Sequence, residues 1–306
     1  MRLGIEITSR CNARCAHCSA GCGPDRNAEL DTATLRKLMD DAAAIDDGPL
    51  EFALTGGEPF LDRAQLQILI AHGHSLGAIV SCVTNAFWAT SSERADDILR
   101  PLAASGLRLL GVSASRFHRA FVPADRITIA IAAAQRLGIR TVLKTALTKV
   151  DLSEPPDTDQ ECAAALADET EYFAVLGPGR APDALAEDQL IRTETAPLEL
   201  CPSRNPMVAA DGRVLACCSS GAIGPLHVLG TIQDGGLQRA VTRLHEDPLH
   251  VRIRTAGPAS LLPAVVRAGH ANRLRSAYAD ACDLCTHLSS DPVLASAIRA
   301  AADTQR

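Results

Sequence analysis

Residues 5–18, IEITSRCNARCAHC, decide the fold of this 306-residue chain. The alternating apolar residues at the start of this stretch predict a short strand that ends at Thr8. Cys11, Cys15 and Cys18 follow at once, in a loop that is too tight and irregular for a helix. Three thiolates at C-x3-C-x2-C spacing can bind three irons of a cubane iron–sulfur cluster and leave the fourth iron without a protein ligand.

A zinc site is the alternative for these cysteines. Structural zinc sites usually have four ligands in paired C-x2-C units, and the local pattern offers no fourth ligand of that kind. His17 or Cys22 is close enough in sequence to serve instead. The pattern therefore favours an iron–sulfur cluster and leaves zinc open.

A glycine-rich turn, Gly56-Gly57-Glu58-Pro59, follows a second predicted strand, Leu50–Thr55. Two adjacent glycines allow positive φ angles and a close approach by another part of the backbone. The carboxylate of Glu58 is expected at the carboxyl end of that strand. Taken alone the turn is a weak signal, because it is also an ordinary strand-to-helix connection.

Strand and helix patterns alternate through the first 176 residues. The six strands are predicted at 3–8, 50–55, 78–84, 107–113, 140–145 and 171–175, and the helices at 31–45, 63–76, 93–105, 123–137 and 159–167. Six strand–helix units indicate an α/β fold with a parallel sheet and outer helices. Functional groups in such sheets lie at the carboxyl ends of the strands. These ends carry Thr84, Asn85, Ser113, Ser115, Lys144 and Thr145.

The cysteine loop and the glycine turn together resemble the two motifs of the radical SAM enzymes, whose core is a partial (β/α)6 barrel. The resemblance implies that Cys11, Cys15 and Cys18 bind a catalytic [4Fe–4S] cluster. The amino and carboxylate groups of S-adenosylmethionine would occupy its open iron. An external electron donor such as flavodoxin or ferredoxin would then allow reductive cleavage to a 5′-deoxyadenosyl radical, which takes a hydrogen atom from an unactivated carbon.

The same resemblance implies roles for residues around the cofactor. In the family the glycine turn binds the methionine amino group, which implies that role for Gly56, Gly57, Glu58 and Pro59. The ends of the third, fourth and fifth strands contact the ribose, adenine and carboxylate of the cofactor. This implies contacts by Asn85, Ser113 and Lys144, with Thr145 beside the last of them. Ordinary polar strand ends are the alternative at each position.

Cysteines return near the C-terminus as Cys201, Cys217, Cys218, Cys282 and Cys285. Asp211-Gly212 between two apolar runs predicts a β-hairpin, which would bring Cys201 near Cys217. The Cys282-x2-Cys285 pair would close a four-thiolate site. Such a site suits either an iron–sulfur cluster or zinc.

This layout resembles the twitch domain, the short form of the SPASM extension, which carries an auxiliary [4Fe–4S] cluster in several radical SAM enzymes. The resemblance implies that Cys201, Cys217, Cys282 and Cys285 are the ligands. Adjacent strand residues face opposite sides, so we assign Cys217 and not Cys218. The predicted domains are a barrel at 1–176, a linker at 177–200, the twitch/SPASM-like domain (hairpin plus helix) at 201–290 and a C-terminal helix at 291–306.

The remaining cysteines have other predicted roles. Cys82 lies in an apolar strand and Cys162 in an alanine-rich helix, which predicts core positions for both. Some radical SAM epimerases of similar layout use a spare thiol to return a hydrogen atom to the substrate radical. That resemblance makes Cys218 a candidate catalytic residue, with a packed structural cysteine as the alternative.

Arg116-Phe117-His118 follows the fourth strand and offers an Arg and a His on a rim loop. They are candidates for substrate contact or for an acid–base pair. A solvated turn anchored by Phe117 is the alternative.

Composition limits the functional class. The net charge of −6, without a Lys/Arg stripe, argues against a nucleic-acid partner. Eleven cysteines without a signal peptide indicate the reducing cytoplasm. Apolar runs stay well short of the ~20 residues that span a membrane, so no membrane association is expected.

The predicted function is hydrogen-atom abstraction from a natural-product intermediate, leading to epimerisation or dehydrogenation. A sugar, aminoglycoside or cyclitol is favoured, because the chain starts at the first barrel strand and carries one auxiliary site. The alternative is maturation of a ribosomally made peptide by epimerisation or cross-linking. A non-catalytic zinc or iron–sulfur protein is the alternative of another class.

Overall fold

The computed structural model describes residues 1–45, 48–154, 158–193, 200–201, 205–217, 224–233 and 236–304. One mixed sheet organises them. Its strands are β1 (Arg2–Thr8), β2 (Glu51–Gly56), β3 (Ile79–Thr84), β4 (Leu107–Ser113), β5 (Arg140–Leu147), β6 (Glu169–Ala174), β7 (Met207–Val208), β8 (Arg213–Leu215) and β9 (Val228–Thr231).

Helices cover the sheet and form the C-terminal part of the chain. They are α1 (Thr32–Ala43), α2 (Arg63–Ser75), α3 (Ser92–Ala104), α4 (Asp125–Arg136), α5 (Lys149–Ser153), α6 (Thr158–Leu166), α7 (Ala181–Ala184), α8 (Gly236–Glu246), α9 (Pro248–Ala256), α10 (Leu262–Arg267), α11 (Ala281–Ser290) and α12 (Pro292–Asp303). The α1 helix begins where predicted, because the Asp31 side chain accepts a hydrogen bond from Thr34 N at 2.9 Å and caps the first turn.

The strands β1 to β6 lie side by side in chain order, and each neighbouring pair is parallel. The predicted α/β fold with a six-unit parallel sheet is therefore confirmed. Within the described residues β6 and β9 are the two edges, so the sheet does not close into a full barrel.

The predicted hairpin around Asp211-Gly212 is present as β7 and β8. It extends the parallel sheet, because β7 pairs in parallel with β1 through Gly4–Met207 and Ile5–Val208. The hairpin residues Val208 and Val214 share the main hydrophobic core with the barrel strands and helices.

Strand alternation decides which side chains enter that core. On β1, Leu3, Ile5 and Ile7 are at most 2% exposed and face the helices. Glu6, between two of them, faces the opposite side of the sheet. A second cluster, formed mainly by helices α9 to α12, buries Tyr278 and its apolar neighbours in the C-terminal part of the chain.

Two predictions about free cysteines have different outcomes. Cys82 on β3 is fully buried in the main core, as expected. The prediction for Cys162 is wrong, because this residue is exposed on α6. On α6, Ala163 is the residue that is buried, so the helix turns its cysteine to solvent.

In the described part of the chain no helix is both long and apolar enough to cross a lipid bilayer.

Candidate functional site

A cavity of about 310 Å³ opens at the carboxyl ends of the parallel strands. Its volume is at the lower end of the range of small-molecule sites, about 300–1,000 Å³. Its floor comes from inward-facing strand residues, including Thr55, Val83, Ser113 and Lys144, and its wall from the cysteine loop. Strand ends and the cysteine loop therefore share one concave site, as the sequence predicts.

The three predicted cluster ligands, Cys11, Cys15 and Cys18, all line this cavity. Burial raises the pKa of Cys11 to about 11 and that of Cys15 to about 12, and charge repulsion between the neighbouring thiols adds to both shifts. Cys18 behaves differently: a hydrogen bond from the Cys22 thiol lowers its pKa to about 6. Three thiols on one wall of one cavity fit a cluster held by three protein ligands.

The glycine turn packs directly onto the cysteine loop. Gly57 N donates to Thr8 O at 2.6 Å, and Glu58 N donates to Arg10 O at 3.0 Å. A Cβ on Gly57 would lie 2.0 Å from Arg10 O, and one on Gly56 would lie 2.4 Å from Thr8 O. Only glycine allows this approach, which brings the backbone of both residues to the cavity.

Glu58 faces away from the cavity. The residue is 1% exposed, and its carboxylate accepts hydrogen bonds from Phe60 N, Asn85 N and the Thr84 hydroxyl. Burial raises its pKa to about 7, and these three hydrogen bonds oppose the rise. Pro59 behind it is also buried and begins a short 3₁₀ helix. In this structure the Glu58 carboxylate joins β2 to β3, and the glycine backbone is the part of the motif that reaches the cavity.

The three predicted strand-end residues line the cavity in different ways. Asn85 donates from Nδ2 to Asn12 Oδ1 at 2.9 Å, and the same nitrogen lies 3.9 Å from Cys11 Sγ. Ser113 faces the cavity from the end of β4. Lys144 reaches it from β5, where its ammonium group pairs with the Glu171 carboxylate. Asn85 is therefore a strand-end side chain beside Cys11, a predicted cluster ligand.

The other rim candidates differ in whether they face the cavity. Thr145 follows Lys144, is 1% exposed and points away from the cavity. Arg116 turns toward α5, where it donates to the Thr148 hydroxyl at 2.8 Å. His118 lines the cavity and is hydrogen bonded through Nδ1 to the Ser115 hydroxyl at 2.9 Å. Of the Arg–His pair, only the histidine therefore faces the site.

His17, between two of the cysteines, joins an aromatic group beside the cavity. Its ring stacks on Phe117 at 4.8 Å and meets His118 edge-on at 5.0 Å. Burial, followed by the positive charges possible on His118 and Arg180, lowers its pKa to about 3. Burial therefore favours the neutral ring, which lines the cavity beside Phe117 and His118.

Arg180 is a functional candidate that the sequence did not suggest. It lies in the predicted linker, yet its Nε donates to Cys15 O at 3.0 Å and its Nη2 to Cys22 O at 2.5 Å. Its own backbone N donates to Cys18 O at 3.1 Å. This segment therefore ties down the cysteine loop, and Arg180 also lines the cavity. The Gly-Pro-Gly-Arg turn at 177–180 was the available signal.

Glu6 is a second candidate that the sequence analysis missed. It lines the cavity from β1, and its carboxylate accepts a hydrogen bond from Ala210 N of the hairpin at 3.3 Å. Burial raises its pKa to about 7, and repulsion from Asp211 adds to the rise. The signal for it was a single acidic residue between the apolar residues Ile5 and Ile7.

The second cysteine set also converges. Burial raises the pKa of Cys285 well above the usual range, and the neighbouring thiols of Cys217, Cys201 and Cys282 raise it further. The described residues contain no group of three or more Cys, His, Asp or Glu side chains arranged to hold one metal ion. Four thiolates around one zinc would be about 3.8 Å apart, from a Zn–S bond of about 2.3 Å. The same finding covers the three N-terminal cysteines. A cubane binds each thiolate to a different iron, so its ligands need not surround a single point.

The predicted hydrogen-atom donor, Cys218, lies outside the described residues. Its role and the choice between Cys217 and Cys218 as a ligand therefore stay predictions.

The sequence is similar to those of known proteins. The family model of the radical SAM superfamily matches residues 5–162. YydG of Bacillus subtilis (strain 168), named as a candidate peptide biosynthesis protein, is 22% identical over 259 residues, which cover 83% of this chain and 81% of that protein. The PqqA peptide cyclase of Methylobacterium sp. (strain 4-46) is 49% identical over 58 residues, 19% of this chain and 15% of that protein.

A solved structure has a similar fold. It contains native anSMEcpe with bound AdoMet and Cp18Cys peptide, and it matches with a TM-score of 0.57 at 14% identity. The match covers 78% of this chain and 79% of that chain. At this identity the likeness concerns the fold alone.

Proposed function

Because this chain belongs to the radical SAM superfamily, we propose that it uses S-adenosylmethionine and its N-terminal cysteine cluster to modify a peptide. The family membership rests on the match over residues 5–162. The observation that carries the peptide substrate is the relation to YydG over 83% of this chain. The sugar or cyclitol favoured by the sequence is the second candidate substrate.

The residues of the cavity have distinct parts in this proposal. Cys11, Cys15 and Cys18 hold a [4Fe–4S] cluster, and the backbone of Gly56 and Gly57 faces the methionine end of the cofactor. When bound, the cluster and S-adenosylmethionine together supply a 5′-deoxyadenosyl radical that abstracts a hydrogen atom. Burial keeps water from the reacting groups, and an external donor such as flavodoxin or ferredoxin supplies the electron.

The cavity mouth suits a peptide. Phe173, on the edge strand β6, lines the cavity and is 44% exposed. An exposed aromatic side chain at the active-site cavity offers an apolar surface for peptide side chains. Within the described residues β6 is an edge strand, and an extended peptide can pair with the outer backbone groups of such a strand.

We extend the proposal to an auxiliary [4Fe–4S] cluster on Cys201, Cys217, Cys282 and Cys285. The mutual influence of these thiols on the pKa of Cys285 supports it. An auxiliary cluster can accept the electron of a substrate radical, which leads to oxidation or cross-linking. Epimerisation instead needs a thiol that returns a hydrogen atom, and Cys218 is the candidate for that donor.

The first test measures iron and 5′-deoxyadenosine after anaerobic purification. We expect about eight irons per chain, falling to about four in a Cys11→Ala/Cys15→Ala/Cys18→Ala variant and to about four in a Cys201→Ala/Cys282→Ala/Cys285→Ala variant. Cleavage of S-adenosylmethionine should disappear in the first variant. If that variant still forms 5′-deoxyadenosine, the assignment of the catalytic cluster fails.

The second test addresses substrate and outcome. The enzyme is incubated in D₂O with a degenerate library of synthetic peptides and, in parallel, with a panel of aminoglycosides and cyclitols. Epimerisation of a peptide should place deuterium on an inverted α-carbon, because the donor thiol exchanges with solvent. Cys218→Ala should still consume the cofactor but lose the inverted product. Deuterium in the cyclitol panel and not in the peptides would reverse the proposed substrate class.

A further inference from the structure

A buried histidine lies against one ligand of the proposed auxiliary cluster. His227 is 3% exposed, and its Nε2 lies 3.2 Å from Cys285 Sγ. The backbone of His227 also accepts a hydrogen bond from Ala216 N at 2.9 Å, next to Cys217. The residue therefore contacts Cys285 with its ring and stands beside another ligand with its main chain.

The chemistry of a cluster ligand fixes the direction of this hydrogen bond. A cysteine that binds iron does so as a thiolate, which accepts hydrogen bonds and has no proton to donate. The proton of the imidazole must then be on Nε2, and Nδ1 must be the unprotonated nitrogen. The contact at 3.2 Å is an N–H···S hydrogen bond in that state.

The surrounding residues hold this histidine in place. Its backbone N donates to Gly224 O at 3.1 Å. Arg299 on α12 donates to Leu226 O at 3.1 Å and, from its other nitrogen, to Asp247 at 2.7 Å. The segment before His227 is thus tied to the C-terminal helix, which restricts the ring to its position over Cys285.

We propose that His227 is a positioning residue of the auxiliary cluster, holding Cys285 by an Nε2–H···S hydrogen bond and raising the reduction potential of that cluster. The inference rests on the auxiliary cluster proposed above. Hydrogen bonds to ligand sulfur withdraw electron density and favour the reduced cluster. Partners in the outer shell of a metal site also orient its ligands, which favours retention of the metal.

Two amide variants of His227 test the hydrogen bond, because their side chains differ in length. His227→Gln can place an N–H near the position of Nε2, whereas the shorter His227→Asn places it near Nδ1 and cannot reach Cys285 Sγ. Both are polar and fit the volume of the imidazole, so they differ mainly in the hydrogen bond. His250→Gln is the matched control. His250 packs near His227 with 5.7 Å between ring centroids, and its polar contact among the described residues is with the Asp247 carboxylate at 3.5 Å, not with a cysteine.

The measurement is an anaerobic redox titration of the full-length holoenzyme followed by EPR. The catalytic cluster is recognised because its signal changes when S-adenosylmethionine binds its open iron, and the auxiliary signal does not change. We expect the auxiliary potential of His227→Asn to shift to a more negative value. The potentials of His227→Gln and His250→Gln should stay close to that of wild type.

Three results would overturn the inference. The first is an auxiliary potential that is equal in His227→Asn and wild type. The second is loss of about four irons from both the Gln and the Asn variant, which would make His227 a ligand itself. The third is wild-type protein with only about four irons, which would remove the auxiliary cluster before any variant of His227 is made.

Discussion

The hydroxyl of Thr84 donates a hydrogen bond to the carboxylate of Glu58 at 2.8 Å, in a site without solvent access. This bond joins the turn after β2 to the end of β3. Asn85 N and Phe60 N donate to the same carboxylate. The acidic residue of the glycine turn therefore aligns two strand ends, so that Gly57 and Asn85 both border the cavity.

Replacing Glu58 by Ala should lower the free energy of unfolding by about 2–4 kcal/mol, because three buried donors lose their acceptor. Thermal or urea unfolding under anaerobic conditions measures the change. Glu51→Ala is the matched control at the start of the same strand, where the side chain is exposed and the ion pair with Arg2 contributes little. Equal stability of the two variants would contradict a structural role for the Glu58 carboxylate.

Replacing Gly57 by Ala should prevent assembly of the N-terminal cluster. The new Cβ would meet Arg10 O at 2.0 Å and Arg10 C at 2.5 Å, so the backbone next to Cys11 must move. Iron content and 5′-deoxyadenosine formation report the loss.

Gly138→Ala is the control for this substitution. Gly138 has a φ of +71°, and a Cβ added there would have no atom within 4 Å. The substitution should therefore cost only backbone strain, about 1–2 kcal/mol of stability. It should keep its iron. A Gly57→Ala protein with full iron content would mean that cluster assembly does not depend on the close contact between Gly57 and the Arg10 backbone.

Replacing Arg180 by Ala should let a chelator remove iron from the N-terminal cluster several-fold faster. The side chain donates two hydrogen bonds to carbonyls of the cysteine loop, and bonds from charged donors contribute about 1.5–3 kcal/mol each. Arg180→Lys keeps the charge but lacks the guanidinium geometry, so it should resemble the Ala variant. Arg36→Ala, on the exposed face of α1, is the control and should release iron at the wild-type rate. If Arg180→Ala also releases iron at that rate, the hydrogen bonds of Arg180 do not stabilise the cysteine loop.

Much of the fold was predictable because local signals are strong in this chain. The observed strand β4 has the predicted bounds, since turn residues and an apolar run mark both of its ends. The hairpin at Asp211-Gly212 is equally clear from the sequence. Cys162 was misplaced because an alanine-rich helix does not reveal by composition which side faces the sheet.

The site was predictable in position but less so in side-chain direction. Strand periodicity could have separated Lys144 from Thr145, since successive residues face opposite sides. The inward contacts of Arg180 and His227 depend on segments more than 50 residues apart in sequence. Without the tertiary structure, a single residue in a turn-rich region gives no sign of such a partner.

Replacing Glu6 by Gln should change how stability depends on pH. The folded protein raises the pKa of this carboxyl from 4.5 to about 7 through burial, so between these values the folded state binds more protons than the unfolded chain. Stability must then fall as pH rises from 4.5 to about 7 and level off above that. The Gln substitution removes this pH-dependent contribution to stability, and its amide oxygen still accepts the hydrogen bond from Ala210 N.

The Glu6→Gln variant should therefore be more stable than wild type by about 3 kcal/mol at pH 8, with the difference shrinking toward pH 5. Glu58 has a raised pKa as well, so wild type and variant share the part of the pH dependence that comes from that residue. Urea unfolding at several pH values measures the difference, and Glu154→Gln on the exposed surface is the control. A constant difference between pH 5.5 and pH 8 would mean that the cavity holds Glu6 ionised, and the residue would then act as a fixed negative charge toward the substrate.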